Sequence, residues 1–196
     1  MKKLLFSLLI LFTAMGAYPQ ATEQQNEQQN SKEMKKVAKE ERKIKAEEER
    51  TRLSKITNLM LTYERFVLEA DYVGNQTGDR VPVTSNLNFI RVDSNKVTMQ
   101  LGSFQGIGIN GVGGVTVDGR ITNYKLHKMD SKKGNVSYYV SMTIISSAGN
   151  YDINMNVGDT GRADATVSGT VSGQLKYYGN LVPLSLSRVY KGTPYP

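Results

Sequence analysis

The chain has 196 residues, with 25 lysines and arginines against 18 acidic residues, one histidine and no cysteine. That composition excludes a disulfide framework and cysteine-based catalysis, and it leaves a zinc site without its usual ligands. The formal charge of +7 is interspersed along the chain rather than gathered into a stripe, so no nucleic-acid partner is expected.

Lys2 and Lys3 precede an apolar run from Leu4 to Met15 that only Ser7 and Thr13 interrupt, and Ala14-Met15-Gly16 offers small residues for cleavage. Residues 1–16 therefore have the pattern of a signal peptide cut before Ala17, the run being shorter than the roughly 20 residues that span a bilayer. No cysteine follows to carry a lipid. The expectation is an exported chain, periplasmic or extracellular, that is not a lipoprotein and keeps no transmembrane segment once mature. Residues 17–30 are rich in Gln, Asn and Glu and read as a flexible leader.

Residues 31–63 read as a charged helix. Lys36–Glu40 and Lys43–Glu47 are spaced to support it by about 0.2–0.5 kcal/mol a pair. Val37 and Ile44 lie one heptad apart, but Thr51 ends that series, so a solvated single helix is favoured over a coiled coil. Near its end the helix becomes amphipathic. Leu53, Ile56, Met60 and Tyr63 share one face, expected to pack on the domain that follows.

From residue 64 onward the period is two. Val97, Met99 and Leu101 alternate with polar residues, as do Val136, Tyr138, Val140, Met142 and Ile144, and then Tyr151, Ile153, Met155 and Val157. Turn residues separate these runs, as in Asp93-Ser94-Asn95, Ala148-Gly149-Asn150 and Gly158-Asp159-Thr160-Gly161. Strands are expected near 65–73, 86–92, 96–102, 121–129, 136–146, 151–157, 162–169 and 174–179. Residues 64–196 thus form an antiparallel β domain. The fold expected is mainly β: a curved antiparallel sheet, half-barrel or small barrel of about eight strands, preceded by a long charged N-terminal α-helix that covers one opening.

The stretches Arg65-Phe66-Val67-Leu68-Glu69-Ala70, Val92-Asp93-Ser94 and Ile121-Thr122-Asn123-Tyr124, together with Gly161-Arg162-Ala163 and Tyr177-Tyr178-Gly179, resemble domain-of-unknown-function family 4251. The resemblance covers nearly the whole mature chain. It implies an exported envelope protein of Gram-negative bacteria, and it brings no activity and no catalytic residues. One departure is that Leu101-Gly102-Ser103-Phe104-Gln105-Gly106 lacks the proline and tyrosine of the Leu-Pro-Tyr-type segment such proteins tend to carry there.

Gly106-Ile107-Gly108-Ile109-Asn110-Gly111 matches G-x-G-x-x-G literally, but it runs into Val115-Thr116-Val117, which is strand-like. A dinucleotide site needs a helix there, so no cofactor is expected. The segment Gly102–Gly119 is instead the longest irregular stretch, and Phe104, Gln105, Ile107, Ile109 and Asn110 are its expected contact residues. Asp152, Asn154 and Asn156 open like a calcium loop. Val157 and Ala163 stand where the loop needs Gly and Glu, so no metal is expected. His127 is expected to be exposed, and Tyr139 and Tyr178 lie on the solvated strand face as further contact candidates.

The reading that results is a non-catalytic envelope protein whose β domain binds an unknown envelope protein or polymer. Two alternatives stand beside it. One is a carboxylate-dependent hydrolase of envelope polymers, drawing on Glu64, Glu69, Asp71 and Asp93. The other is a carrier of a small apolar ligand, should the sheet close around a cavity lined by Met99, Tyr138, Met142 and Met155.

Overall fold

The computed structural model describes residues 20–102, 109–130, 136–169 and 173–195, with side chains from residue 32 onward. The chain forms two units, one ending at Ala46 and one spanning Glu47–Pro196. Helix α1 runs over Gln20–Thr62, so its first turns occupy the stretch read above as a leader, where Gln and Glu are good helix formers. In the first unit Met34, Val37 and Ile44 are exposed, and Lys43 pairs with Glu40 at 3.5 Å. Residues 1–16, read above as a signal peptide, lie outside the described residues. Among the described residues, no helix is long and apolar enough to cross a membrane.

The second unit is a closed antiparallel β-barrel with the end of α1 packed into it. Its strands are β1 (Arg65–Gly74), β2 (Arg80–Pro82), β3 (Phe89–Asp93), β4 (Lys96–Leu101), β5 (Val115–Asp130), β6 (Val136–Ser146), β7 (Gly149–Gly158), β8 (Arg162–Gly169) and β9 (Gln174–Pro183). From β3 to β9 each strand pairs with the next. Eight strands close because β1 pairs with β3 through its first half and with β9 along its length, from Phe66↔Pro183 to Gly74↔Lys176. The short β2 adds to the second half of β1. Strand β5 begins at Val115, six residues before the start expected from the alternation, so the irregular segment ends at Gly114 rather than Gly119.

Period two places one face of every strand inside the barrel. Phe66, Leu68, Ile90, Val92, Val140, Met142, Ile144, Ile153 and Met155 are all buried within it. The outward face of β5 to β8 carries Lys125, Ser141, Thr143, Asp152, Asn154, Asn156 and Thr166. That is the inverse of a membrane-spanning barrel, whose outer band is apolar.

The last turns of α1 close one end. Thr57, Met60 and Leu61 are buried, with Leu53 and Ile56 half-buried beside them. Tyr124 donates its hydroxyl to the Leu61 carbonyl (2.8 Å), and the Arg50 guanidinium holds Asp159 through two bonds of 2.9 and 2.7 Å. Tyr63, expected on this buried face, is instead 67% exposed. The helix stops at Thr62 and Glu64 turns left-handed (φ 54°), which swings Tyr63 outward and leaves Leu61 to fill the barrel.

Part of the outer surface is also buried. Val67, Phe89, Gln100 and Thr116 face outward from β1, β3, β4 and β5, yet none is exposed. The C-terminal segment bonds to this face. Ser187 donates to Glu69 (2.6 Å), the Tyr190 amide to the Asn86 carbonyl (2.8 Å), and the Gly192 amide to Gln100 Oε1 (2.7 Å). Gln100 returns a bond from Nε2 to the Tyr190 carbonyl (2.8 Å) and accepts the Thr116 hydroxyl (2.8 Å).

A candidate binding site at the barrel mouth

At the barrel end opposite α1 the described residues leave a cavity, and its described lining is apolar. Met99 and Leu101 reach it from the end of β4, Val115 and Val117 from the start of β5, and Tyr151 from the start of β7. Val167 completes the ring from β8, and Leu175 and Tyr177 from β9. They enclose a cavity of about 220 Å³. The alternation that builds the core also builds this site, because these are the inward positions nearest the strand ends. Eight-stranded barrels are just wide enough either to fill with side chains or to hold one small ligand. Here both occur, with the helix end filled and the mouth open.

Among the described residues no charged side chain lines the cavity. Its two tyrosine hydroxyls are turned to the backbone, Tyr177 donating to the Gln100 carbonyl (3.2 Å) and Tyr151 to the Ala148 carbonyl (3.3 Å). Burial raises the pKa of the Tyr177 phenol well above its ordinary value, so it stays protonated and fixed. The ring faces and aliphatic chains remain to meet a ligand. Such a lining attracts an apolar group by removing its surface from water and offers no group for acid or base work.

Of the four residues named for a carrier cavity, only Met99 lines this one. Tyr138, Met142 and Met155 are packed deeper in the barrel, at 2%, 1% and 0% exposure. Leu101, Val115, Val117, Tyr151, Val167, Leu175 and Tyr177 were not singled out from sequence. The available signal was their inward phase beside glycine-rich turns.

The residues proposed for a contact loop separate. Phe104, Gln105 and Ile107 lie outside the described residues. Ile109 is exposed. Asn110 is buried at 1% and serves the fold: Oδ1 accepts the Val112 and Gly114 amides, Nδ2 donates to Thr116, and its carbonyl receives the Thr193 amide. Its polar groups are thus spent holding its own turn and the C-terminal segment.

Tyr139 and Tyr178 do share the outer face and one register row, but three strands apart, or roughly 14 Å at the usual spacing. Between them Asn156 donates to Asp164 (2.9 Å). Tyr139 donates to Asn154 (2.8 Å) and lies 6.4 Å from the exposed His127 ring, while Tyr178 and Tyr72 flank the Arg80 guanidinium at 5.8 and 5.4 Å.

The carboxylates are held by separate partners. Glu69 holds Ser187, Asp71 accepts from Asn180 (3.3 Å), and Asp93 meets Arg65 and Arg91 at 3.3 and 3.5 Å. Among the described residues no group of three or more His, Cys, Asp or Glu is placed to hold a metal.

The family model described as "Domain of unknown function (DUF4251)" matches residues 45–181. A solved structure of a DUF4251 family protein from Bacteroides eggerthii superposes with a TM-score of 0.54 at 29% identity, covering 69% of this chain and 90% of that one. No curated protein matches the chain.

Proposed function

This chain belongs to the DUF4251 family, defined by a domain of unknown function, and from that premise we propose that it is an exported, non-catalytic binding protein that takes an apolar group of its ligand or partner into the barrel mouth. The observation that carries the reading is the 220 Å³ apolar cavity at the open end of an otherwise filled barrel. Its size is below the 300–1,000 Å³ or so of sites that enclose a whole drug-sized molecule. It fits the end of an aliphatic chain or one apolar side chain, with the rest of the ligand outside. The hydrolase reading has less support, since Glu69, Asp71 and Asp93 are each held by separate partners. Export rests on the pattern of residues 1–16. Sequencing the N-terminus of the protein from cell fractions tests it, and retention of Met1 overturns it.

The binding reading is tested by methyl NMR of methionine-labelled protein titrated with 1-hexanol and with decanoate. The Met99 methyl lines the cavity, whereas Met142 and Met155 are packed out of reach and report on the fold. A saturable shift of Met99 alone is the expected result. No shift up to the solubility of both probes, or equal shifts of all three methyls, overturns the reading.

A further inference from the structure

A second cavity lies on the outer surface, away from the mouth, and its chemistry is the opposite. It is a groove of about 500 Å³ over β4 and β5, lined by Asn95, Lys96, Thr98, Asp118, Arg120 and Lys191 among others. We propose that this groove binds a phosphate-type oxyanion.

The register makes the case first. Strands β4 and β5 set Lys96 directly opposite Arg120, and Thr98 opposite Asp118. Opposed residues in an antiparallel pair hold their Cβ atoms about 4.5–5.5 Å apart, and like charges so placed destabilise the sheet. An arrangement of that kind is relieved by an anion lying between the two side chains. The C-terminal segment then adds a third cation. Its path is fixed by the Gly192 amide on Gln100, the Thr193 amide on the Asn110 carbonyl (2.9 Å) and the Tyr195 amide on the Thr116 carbonyl (2.7 Å). Lys191 is thereby held at the groove, 2.6 Å from Asp118.

Asp118 does not neutralise the site, because it is already engaged by the Thr98 hydroxyl (2.6 Å) and by Lys191. Nor does the next carboxylate along the row. Asp93, opposite Lys96 across β3, already meets Arg65 and Arg91. Among the described residues three groove cations therefore face one carboxylate, an excess of two charges. A phosphate monoester carries about −1.5 to −2 at neutral pH and presents several acceptor oxygens. The Arg120 fork and two lysine ammonium groups are suited to receive it. The volume also leaves room for a small group attached to the phosphate.

The test is amide NMR at low ionic strength with inorganic phosphate, alongside sedimentation with phosphatidylcholine vesicles with and without phosphatidic acid. Phosphate is expected to shift the amides of residues 95–98, 118–120 and 191, and to raise the melting temperature, where chloride at equal ionic strength does neither. K96Q/R120Q is expected to weaken binding about tenfold or more. In phosphate-free buffer it should melt no lower than the wild type, since it removes a repulsion between exposed side chains. K125Q, elsewhere on β5, should bind as the wild type does. A groove response to free phosphate identifies a soluble ligand, and a response only to phosphatidic acid vesicles identifies a lipid headgroup. Absence of both, an equal response to chloride, or undiminished binding by K96Q/R120Q overturns the proposal.

Discussion

Gly179 sits where the first and last strands meet, opposite Ala70 on β1 and Ala163 on β8. A methyl group there would fall on the Glu69 carbonyl and reach within 2.8 Å of Ala70 Cα. Neither is the movable end of a side chain, and the β1–β9 ladder already shifts register between Ala70 and Tyr72. Gly179→Ala is therefore expected to cost about 3 kcal/mol or more in urea unfolding; a loss under about 1 kcal/mol would mean that the closing strands can part. The neighbouring Tyr177 yields a pH dependence. Burial raises its pKa above the unfolded value near 10, so the folded state holds the proton more tightly. Its stabilising contribution is complete below about pH 10 and is lost as the pH climbs through the folded value. Burial, followed by the Glu64 charge, gives Tyr124 the same sign. Tyr177→Phe should cost about 1 kcal/mol at neutral pH through the lost bond to Gln100. Between pH 7 and pH 11 it should then lose less stability than the wild type, as denaturant melts at the two values would show. That Tyr177 points inward and Tyr178 outward follows from alternation alone. Asn110 was not legible in the same way. An asparagine among glycines reads as a turn residue, and its burial depends on Thr116, Thr193 and other groups that no local pattern ties to it.

At the scale of elements, α1 and the C-terminal segment are the pieces whose roles differ most from their sequence character. The helix is charged along most of its length, and near its end Ile56, Thr57, Met60 and Leu61 enter or line the barrel core. Removing residues 1–46 should leave the melting temperature of the domain unchanged, because the second unit begins at Glu47. Removing the chain through Thr62 should unfold it. Ile56, Met60 and Leu61 contribute on the order of 1.5–3 kcal/mol each, a sum comparable with the whole stability of a small domain. Equal melting of the two truncations would show that the helix end does not support the barrel. The face itself was legible from spacing, apart from the last residue, since a three-to-four period cannot tell where a left-handed Glu64 will stop the helix. Strand β5 was shortened in the reading for a related reason. Gly119 marks a loop end by composition, yet a Cβ there would meet Ile144 Cγ2 at 2.5 Å, so the glycine serves close packing inside a strand. The C-terminal segment carries no periodicity at all. Its cover over Val67 and Phe89 is set by tertiary contacts, and ending the chain at Pro183 should lower stability by several kcal/mol in denaturant melts, since it uncovers these side chains and strips Gln100 of two of its bonds.

For the molecule as a whole, alternation announces strands but not closure. The same pattern serves an open curved sheet, and what decides for a barrel is the pairing of β1 with β9 across more than a hundred residues of chain. Closure turns the inner faces of eight strands into one core, and that core has more space than the described side chains fill. Near α1, Leu61 and Met60 take up the room; at the other end none of the described residues fills the corresponding space on the Val115–Val117 side of the mouth. An unfilled mouth is either a packing deficit or a site, and the two differ in what filling it does. Val117 is buried at 8% exposure on the inner face of β5, with its side chain at the cavity wall. Val117→Phe adds apolar atoms to space that is already vacant, so the usual cost of overpacking a tight core does not apply. Each added carbon that leaves water contributes up to about 0.8 kcal/mol, offset by the loss of ring freedom, and the unfolding free energy should change by less than about 1.5 kcal/mol. Binding should respond very differently. With the cavity filled, hexanol and decanoate should no longer shift the Met99 methyl, while Met142 and Met155 keep their wild-type resonances. A variant that still binds the probes would place their site elsewhere, and one that collapses would show that the mouth is tighter than its volume indicates and hence is core.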